Sequence, residues 1–227
     1  MLEAGGDCAH VSRNLRMAYR TIIFDFDGTL ADTLEETRRI YNLMAADYSL
    51  REISAEELPG LRSFSLLELI GHLGIPKRRV PTLLSRGTSM MRANIARLPL
   101  IPGIGEIIPE MRSRAKSFGV LTSNAEENVD LFLKAHGLRE HFDFISSTSR
   151  LTGKSSHLRA IRKTFSLHSA EMLYVGDEIR DIKASKKAGI DMAAVTWGFN
   201  SAESLAAETP AHLLHSPEEL LKLVPEN

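Results

Sequence analysis

Asp25 and Asp27 close the run "TIIFDFDGTLADT", residues 21–33, where apolar residues lead into two acids one position apart. A carboxylate pair in that place can divide two tasks, one group attacking or binding while the other carries a proton. Three further sets trail short β-rich runs: Thr122, Ser123 and Asn124 in "LTSN", Lys154 in "TGKSSHL", and Asp177 with Asp181 in "GDEIRD". Four acids brought together repel one another unless a cation lies among them. Oxygen donors suit Mg2+, and no Cys/His cluster offers a zinc site. With hydroxyls and an ammonium alongside, the centre suits a phosphate ester. Lysine holds phosphoryl oxygens, a carboxylate can attack phosphorus, and a second acid moves the proton. Phosphate-monoester hydrolysis can need acceleration approaching ~10²¹-fold, so positioning and electrostatics must dominate.

The elements that position these residues can be read from periodicity. Strands are expected over 20–26, 117–123, 142–146, 171–177 and 191–197. Helices separate most of them. "AEENVDLFLKAHG" puts Val129, Phe132 and Leu133 on one side with Gly137 at its end, and "EIRDIKASKKAG" turns Ile179, Ile182 and Ala188 inward. "SPEELLKLV" offers Ser216 as cap, Pro217 at the first helical position and Glu219 closing a capping box. Alternating strands and helices predict an α/β Rossmann-like core, a mainly parallel sheet with helices on both faces. In such sheets ligands gather outside the carboxyl ends of the strands, where these acids, hydroxyls and lysine fall. "TSNAEENV" runs straight into a helix, so Ser123 and Asn124 lie near an amino end that favours an anion.

Between 33 and 100 the rhythm breaks. Helices are expected over 34–48, 55–59, 65–73 and 77–97, with "TLEE" (33–36) and "SAEE" (54–57) as capping boxes. Pro99, Pro102 and Gly103 mark the return to the core. The expected organisation is a flexible N-terminal extension over 1–16, an α/β core over 17–32 and 100–227, and an inserted all-helical cap over 33–99.

Composition excludes other classes. The 227 residues carry a formal net charge of −1 and a single cysteine, Cys8. There is no global pull toward nucleic acid or anionic membrane, no intrachain disulfide framework, and a fit to a reducing cytoplasm. No apolar run is long enough to span a bilayer, and the first residues lack the apolar region of a secretion signal. The expected partner is a small phosphorylated metabolite, not nucleic acid or membrane; monomer and homodimer are both compatible.

"DFDGTLAD", "LTSN", the lysine after the third strand and "GDEIRD", in that order, resemble the four motifs of the haloacid dehalogenase-like hydrolases. The nearest likeness is to the phosphatase branch with a helical cap between the first two motifs, as in phosphoglycolate phosphatases. The resemblance implies Asp25 as nucleophile and metal ligand, and Asp27 as general acid/base with its carbonyl on the metal. Thr122 and Lys154 would hold the phosphoryl group, with Ser123 and Asn124 beside them. Asp177 would bind Mg2+ directly, and Asp181 would act through the metal's waters or orient Lys154. Dehalogenating members lack an acid two residues after the nucleophile; Asp27 favours a phosphatase. "PGLRSFSLLEL" (59–69) resembles the cap loop that leans over the active site, making Arg62 a candidate for the leaving group. Ser155 replaces the proline often found after the motif-three lysine, and Glu178 replaces a common serine or threonine. Other readings of the same motifs are a phosphomutase, a non-catalytic phosphometabolite binder and a phospho-accepting receiver. Trp197 and Phe199 are expected to pack the end of the sheet.

Overall fold

The computed structural model describes residues 19–148 and 153–226. The expected extension over 1–16 lies outside the described residues. Among them, six strands form one parallel sheet in the order β3-β2-β1-β4-β5-β6. They are β1 (Thr21–Phe24), β2 (Ser117–Thr122), β3 (Phe144–Ser147), β4 (Met172–Gly176), β5 (Asp191–Val195) and β6 (His212–Leu214). β1, β2, β4 and β5 fall inside the expected segments, and β3 runs one residue past its own, to Ser147. β6, only three residues long, has no periodicity from which it could be read.

The central strands are apolar without alternation because both faces are covered. In β1, Ile22 and Phe24 enter the larger core cluster while Ile23 enters a second cluster across the sheet. The larger cluster is closed by α5 (Ile104–Arg114) and α6 (Glu126–Ala135), the smaller by α7 (Lys154–Thr164), α8 (Ile179–Ala188) and α9 (Ala202–Ala207). Val129, Phe132 and Leu133 of α6 are fully buried, and Gly137 takes a φ of 68° just past its end. At roughly 1.5–3 kcal/mol for each large apolar side chain removed from water, this double-sided burial supplies most of the drive for the fold. Ser216 and Glu219 form the expected capping box, but the turn they start, Pro217–Leu223, is 3-10 rather than α.

The block between β1 and β2 is helical, as expected. It contains α1 (Leu34–Tyr48), α2 (Leu58–Leu61), α3 (Leu66–His72) and α4 (Val80–Met91), with 3-10 turns at Lys77–Arg79 and Ile95–Arg97. The expected helix over 77–97 is therefore a shorter α-helix between two tighter turns. Thr33 precedes α1 without a side-chain capping bond, whereas Glu57 does accept from the Ser54 N–H at 3.0 Å. A complete capping box stands instead at Ser65 and Glu68, opening α3. Ile40, Met44, Leu83 and Met91 join the larger core cluster, so α1 and α4 rest on the α/β body. Ile53, Leu61 and Leu73 form a small core of their own.

Candidate active site

The register of the three central strands decides what meets. Phe24 pairs with Val120 on β2 and with Val175 on β4, so the residues just past all three strands share one rim. Asp25 and Asp27 leave β1 there, Thr122 ends β2, and Asp177 follows β4. Phe26, between the two acids, points the other way and packs edge-on against Phe132 at 5.0 Å. That buried ring pins the turn that holds the acids. The turn closes with the Gly28 N–H on the Ala31 carbonyl and the Leu30 N–H on that of Phe26, both at 2.9 Å.

Lys154 enters from the first residue of α7. Its Nζ lies 2.5 Å from Asp25 Oδ2 and 2.7 Å from Asp181 Oδ1, and all three side chains are almost fully buried. The ring of Tyr174 stands 5.5 Å from the ammonium, and its hydroxyl donates to the Leu121 carbonyl at 3.2 Å. Burial pulls the Lys154 pKa down, but Asp181 and Asp25 outweigh it and leave the pKa raised. The lysine therefore stays charged. Asp25 Oδ1 also accepts the Phe26 N–H at 2.8 Å.

Asp177 is held from two sides. The Thr29 hydroxyl donates to Oδ1 at 2.8 Å, and the Phe199 N–H donates to Oδ2 at 2.6 Å. Two glycines make room for it. A Cβ on Gly28, whose φ is 71°, would lie 2.3 Å from Asp177 Oδ2, and one on Gly198 would lie 2.2 Å from the same atom. Burial, followed by Glu178 and Asp25, pushes the Asp177 pKa well above the usual carboxylate range. Burial likewise lifts Asp181 to about 6, with Lys154 pulling only part of the way back.

Asp25, Asp177 and Asp181 each bring a carboxylate oxygen within 4.8 Å of the others. Lys154 pairs with two of these buried acids, Asp25 and Asp181, and Asp181 Oδ2 is buried without a hydrogen-bond partner. Such an oxygen calls for a cation, and an all-oxygen donor set of this kind suits a hard divalent ion. The residues fit Mg2+.

Asp27 sits apart from the lysine. The Asn124 Nδ2 donates to both of its oxygens, at 3.2 and 3.1 Å, and burial raises its pKa above the ordinary value. Thr122 Oγ1 accepts the Asn124 N–H at 2.9 Å. Ser123 is approached by the Arg180 guanidinium at 3.3 Å, which also holds Glu178 at 2.5 Å.

The cap meets the core next to this rim. Asn200 donates to the carbonyls of Arg62 (3.0 Å) and Phe64 (2.8 Å), while its Oδ1 accepts the Ile179 N–H at 2.9 Å. Arg62 donates to the carbonyls of Thr196 at 2.7 Å and Asn200 at 3.4 Å. The structure thus puts the Arg62 guanidinium in the cap–core contact, on backbone oxygens of Thr196 and Asn200.

One rim carrying a paired acid, a lysine held by two carboxylates and a third buried acid, beneath a helical insertion, is a pattern with known relatives. Residues 22–195 match the family described as haloacid dehalogenase-like hydrolases. The chain belongs to that family. A phosphoglycolate phosphatase from Synechococcus elongatus is 34% identical over 205 residues, spanning 90% of this chain and 97% of that protein. The pyrophosphatase PpaX of Oceanobacillus iheyensis is 23% identical over 213 residues, spanning 92% and 98%. The solved structure of a haloacid dehalogenase-like family hydrolase from Streptococcus pneumoniae shares the fold. Its TM-score is 0.76 at 22% identity, covering 90% of this chain and 97% of that one.

Several groups that shape this hydrolase site have no sequence signal of their own. Thr29 lies in the "DGT" turn, yet only the fold shows its hydroxyl on Asp177. The Phe199 N–H is backbone, and Asn128 reaches the site from the first turn of α6. Trp197 does pack at the sheet end, its Nε1 donating to the Thr29 carbonyl at 3.2 Å.

Proposed function

We propose that this phosphoric monoester hydrolase is a cytoplasmic, Mg2+-dependent phosphatase that hydrolyses a small phosphorylated metabolite, phosphoglycolate-like, through an aspartyl-phosphate. The observation that carries the reading is Lys154 held between Asp25 and Asp181, with Asp27 next to Asp25 but outside that contact.

An Asp25 oxygen attacks phosphorus in line, forming the Asp25–phosphorus bond as the ester oxygen departs. Asp27, held by Asn124, gives its proton to the leaving oxygen. Water then attacks the phosphorus, its proton returns to Asp27, the bond to Asp25 breaks and phosphate leaves. Lys154 and the Thr122 hydroxyl hold the phosphoryl oxygens, and Ser123 and Asn124 border that space. Asp25, Asp177 and the Asp27 carbonyl would hold Mg2+, with Asp181 orienting Lys154 beside it. When bound, Mg2+ polarises the phosphoryl oxygens and offsets the charge of the acids. Residues 33–99 act as a cap that shuts bulk water out during the first transfer. Arg62, on the cap–core seam, contributes to substrate contact through the placement of that loop.

The test is phosphate release from a panel of small phosphoesters with Mg2+, including 2-phosphoglycolate and pyrophosphate, for the wild type and Asp25→Asn. Release by the wild type, lowered at least ~10³-fold in Asp25→Asn, supports the reading. Equal release by both proteins overturns it, and so does an isomeric phosphoester in place of free phosphate.

A further inference from the structure

Asn128 lies near the start of α6, one turn beyond Asn124, and is 1% exposed. Its Nδ2 donates to Asn124 Oδ1 at 2.9 Å and to the carbonyl of Thr88, in cap helix α4, at 3.1 Å. Both amide hydrogens are therefore spent, one on the core and one on the cap. Asn124 Oδ1 accepts a second bond from the Ala125 N–H at 2.8 Å, so the Asn124 amide can present only its Nδ2 to Asp27.

We propose that Asn128 is a positioning residue for Asp27: it fixes the Asn124 amide, and it does so while also gripping the cap. The inference rests on the role given to Asp27 above. The geometry supplies a continuous path from the Thr88 carbonyl through two side-chain amides to the proton-carrying carboxylate. Its weak point is built in, because Asn128 Oδ1 is buried without a partner. That unmet acceptor favours release of Asn128 once the Thr88 carbonyl withdraws, and Asn124 is then free to turn. Cap position and acid placement are thereby linked: with the cap seated, Asp27 is aimed, and with the cap lifted, it is not.

A residue that aims a proton donor matters only when the leaving group needs a proton. The glycolate alkoxide of 2-phosphoglycolate does; the phenolate of p-nitrophenyl phosphate leaves unaided. The comparison uses kcat/KM, which reports only the steps through departure of the leaving group and so leaves out the second transfer. Full-length Asn128→Leu with Mg2+ is expected to lose at least ~10-fold in kcat/KM on 2-phosphoglycolate, a fraction of the ~10²–10⁴ a general acid contributes. On p-nitrophenyl phosphate, whose leaving group needs no general acid, the loss is expected to stay within about threefold. Asn128→Asp keeps the shape but removes both donors, and it decides the point should Asn128→Leu fail to fold. Equal losses on the two substrates, as a purely structural role would give, or no loss on either, overturn the inference and leave the phosphatase reading standing. Absence of wild-type phosphate release from both substrates overturns both.

Discussion

Asp25 and Lys154, 129 positions apart in the chain, meet at 2.5 Å in a space closed to solvent. An ammonium so placed neutralises one carboxylate outright and shares itself with Asp181. The remaining negative charge of the cluster is left for a cation to offset.

Removing that ammonium leaves the buried Asp25 and Asp181 without their ion-pair partner. Lys154→Met is expected to abolish measurable phosphate release and to lower stability by about 3 kcal/mol in metal-free buffer, the scale for breaking a buried pair. Urea unfolding with EDTA, set beside a phosphate assay, checks both. Wild-type stability in the variant would show that the contact does not bear on the fold.

With Mg2+ held by the folded acid cluster, as proposed above, the ion should stabilise the protein, since the unfolded chain has no comparable site. At a hundredfold excess over its Kd the gain is about 2.7 kcal/mol. Thermal melts with Mg2+ and with EDTA measure it. Asp177→Asn, which removes a cluster carboxylate charge, should melt at the same temperature in both. A Mg2+ shift that survives in this variant would place the ion elsewhere.

Gly28 has two reasons to remain glycine, a φ of 71° and the Asp177 oxygen 2.3 Å from where a Cβ would stand. Gly28→Ala is expected to cost roughly 1–3 kcal/mol and to remove activity by displacing Asp177. Gly71, inside α3 with nothing within 4 Å of its notional Cβ, is the control: Gly71→Ala should stabilise by about 0.4–1 kcal/mol. Paired urea titrations distinguish the two.

At the opposite end of the sheet, the Tyr19 hydroxyl donates to Asp191 at 2.8 Å and lies 3.0 Å from His212 Nε2. Burial, followed by Asp191, raises the Tyr19 pKa, so the hydroxyl stays a donor. Burial lowers the His212 pKa, with Asp191 opposing it. Between the ordinary value of about 6.5 and the lower folded one, the unfolded chain binds the extra proton. Stability is therefore full above about pH 6.5 and declines as the pH falls through that window. Urea midpoints from pH 8 to 5 should show this decline in the wild type and a shallower one in His212→Asn. An unchanged slope would mean that other groups cause it.

Much of the fold was legible because strands buried on both faces leave unmistakable runs, and because the acids that end them break those runs abruptly. Gly137 and the Ser216–Glu219 box announced helix boundaries for local steric and hydrogen-bonding reasons. What escaped depended on distance. β6 gains its identity only by pairing with β5. The docking of Asn200 on the Arg62–Phe64 loop joins residues more than 130 positions apart through backbone carbonyls, which every residue possesses. The "TLEE" pattern failed as a capping box because Thr33, fully buried, has φ −105° and ψ 0°, outside the extended backbone that aims a capping hydroxyl at the helix. Asn128 was invisible for a related reason: an asparagine inside an amphipathic helix reads as a neutral position until the cap is folded over it.

The most direct measurement is rapid acid quench of the wild type during turnover, with mass spectrometry of its peptides to locate a bound phosphoryl group. The expected result is a single phosphorylated residue, Asp25, with the label absent from Asp25→Asn. A phosphoryl group on any other residue would contradict the assignment of the nucleophile.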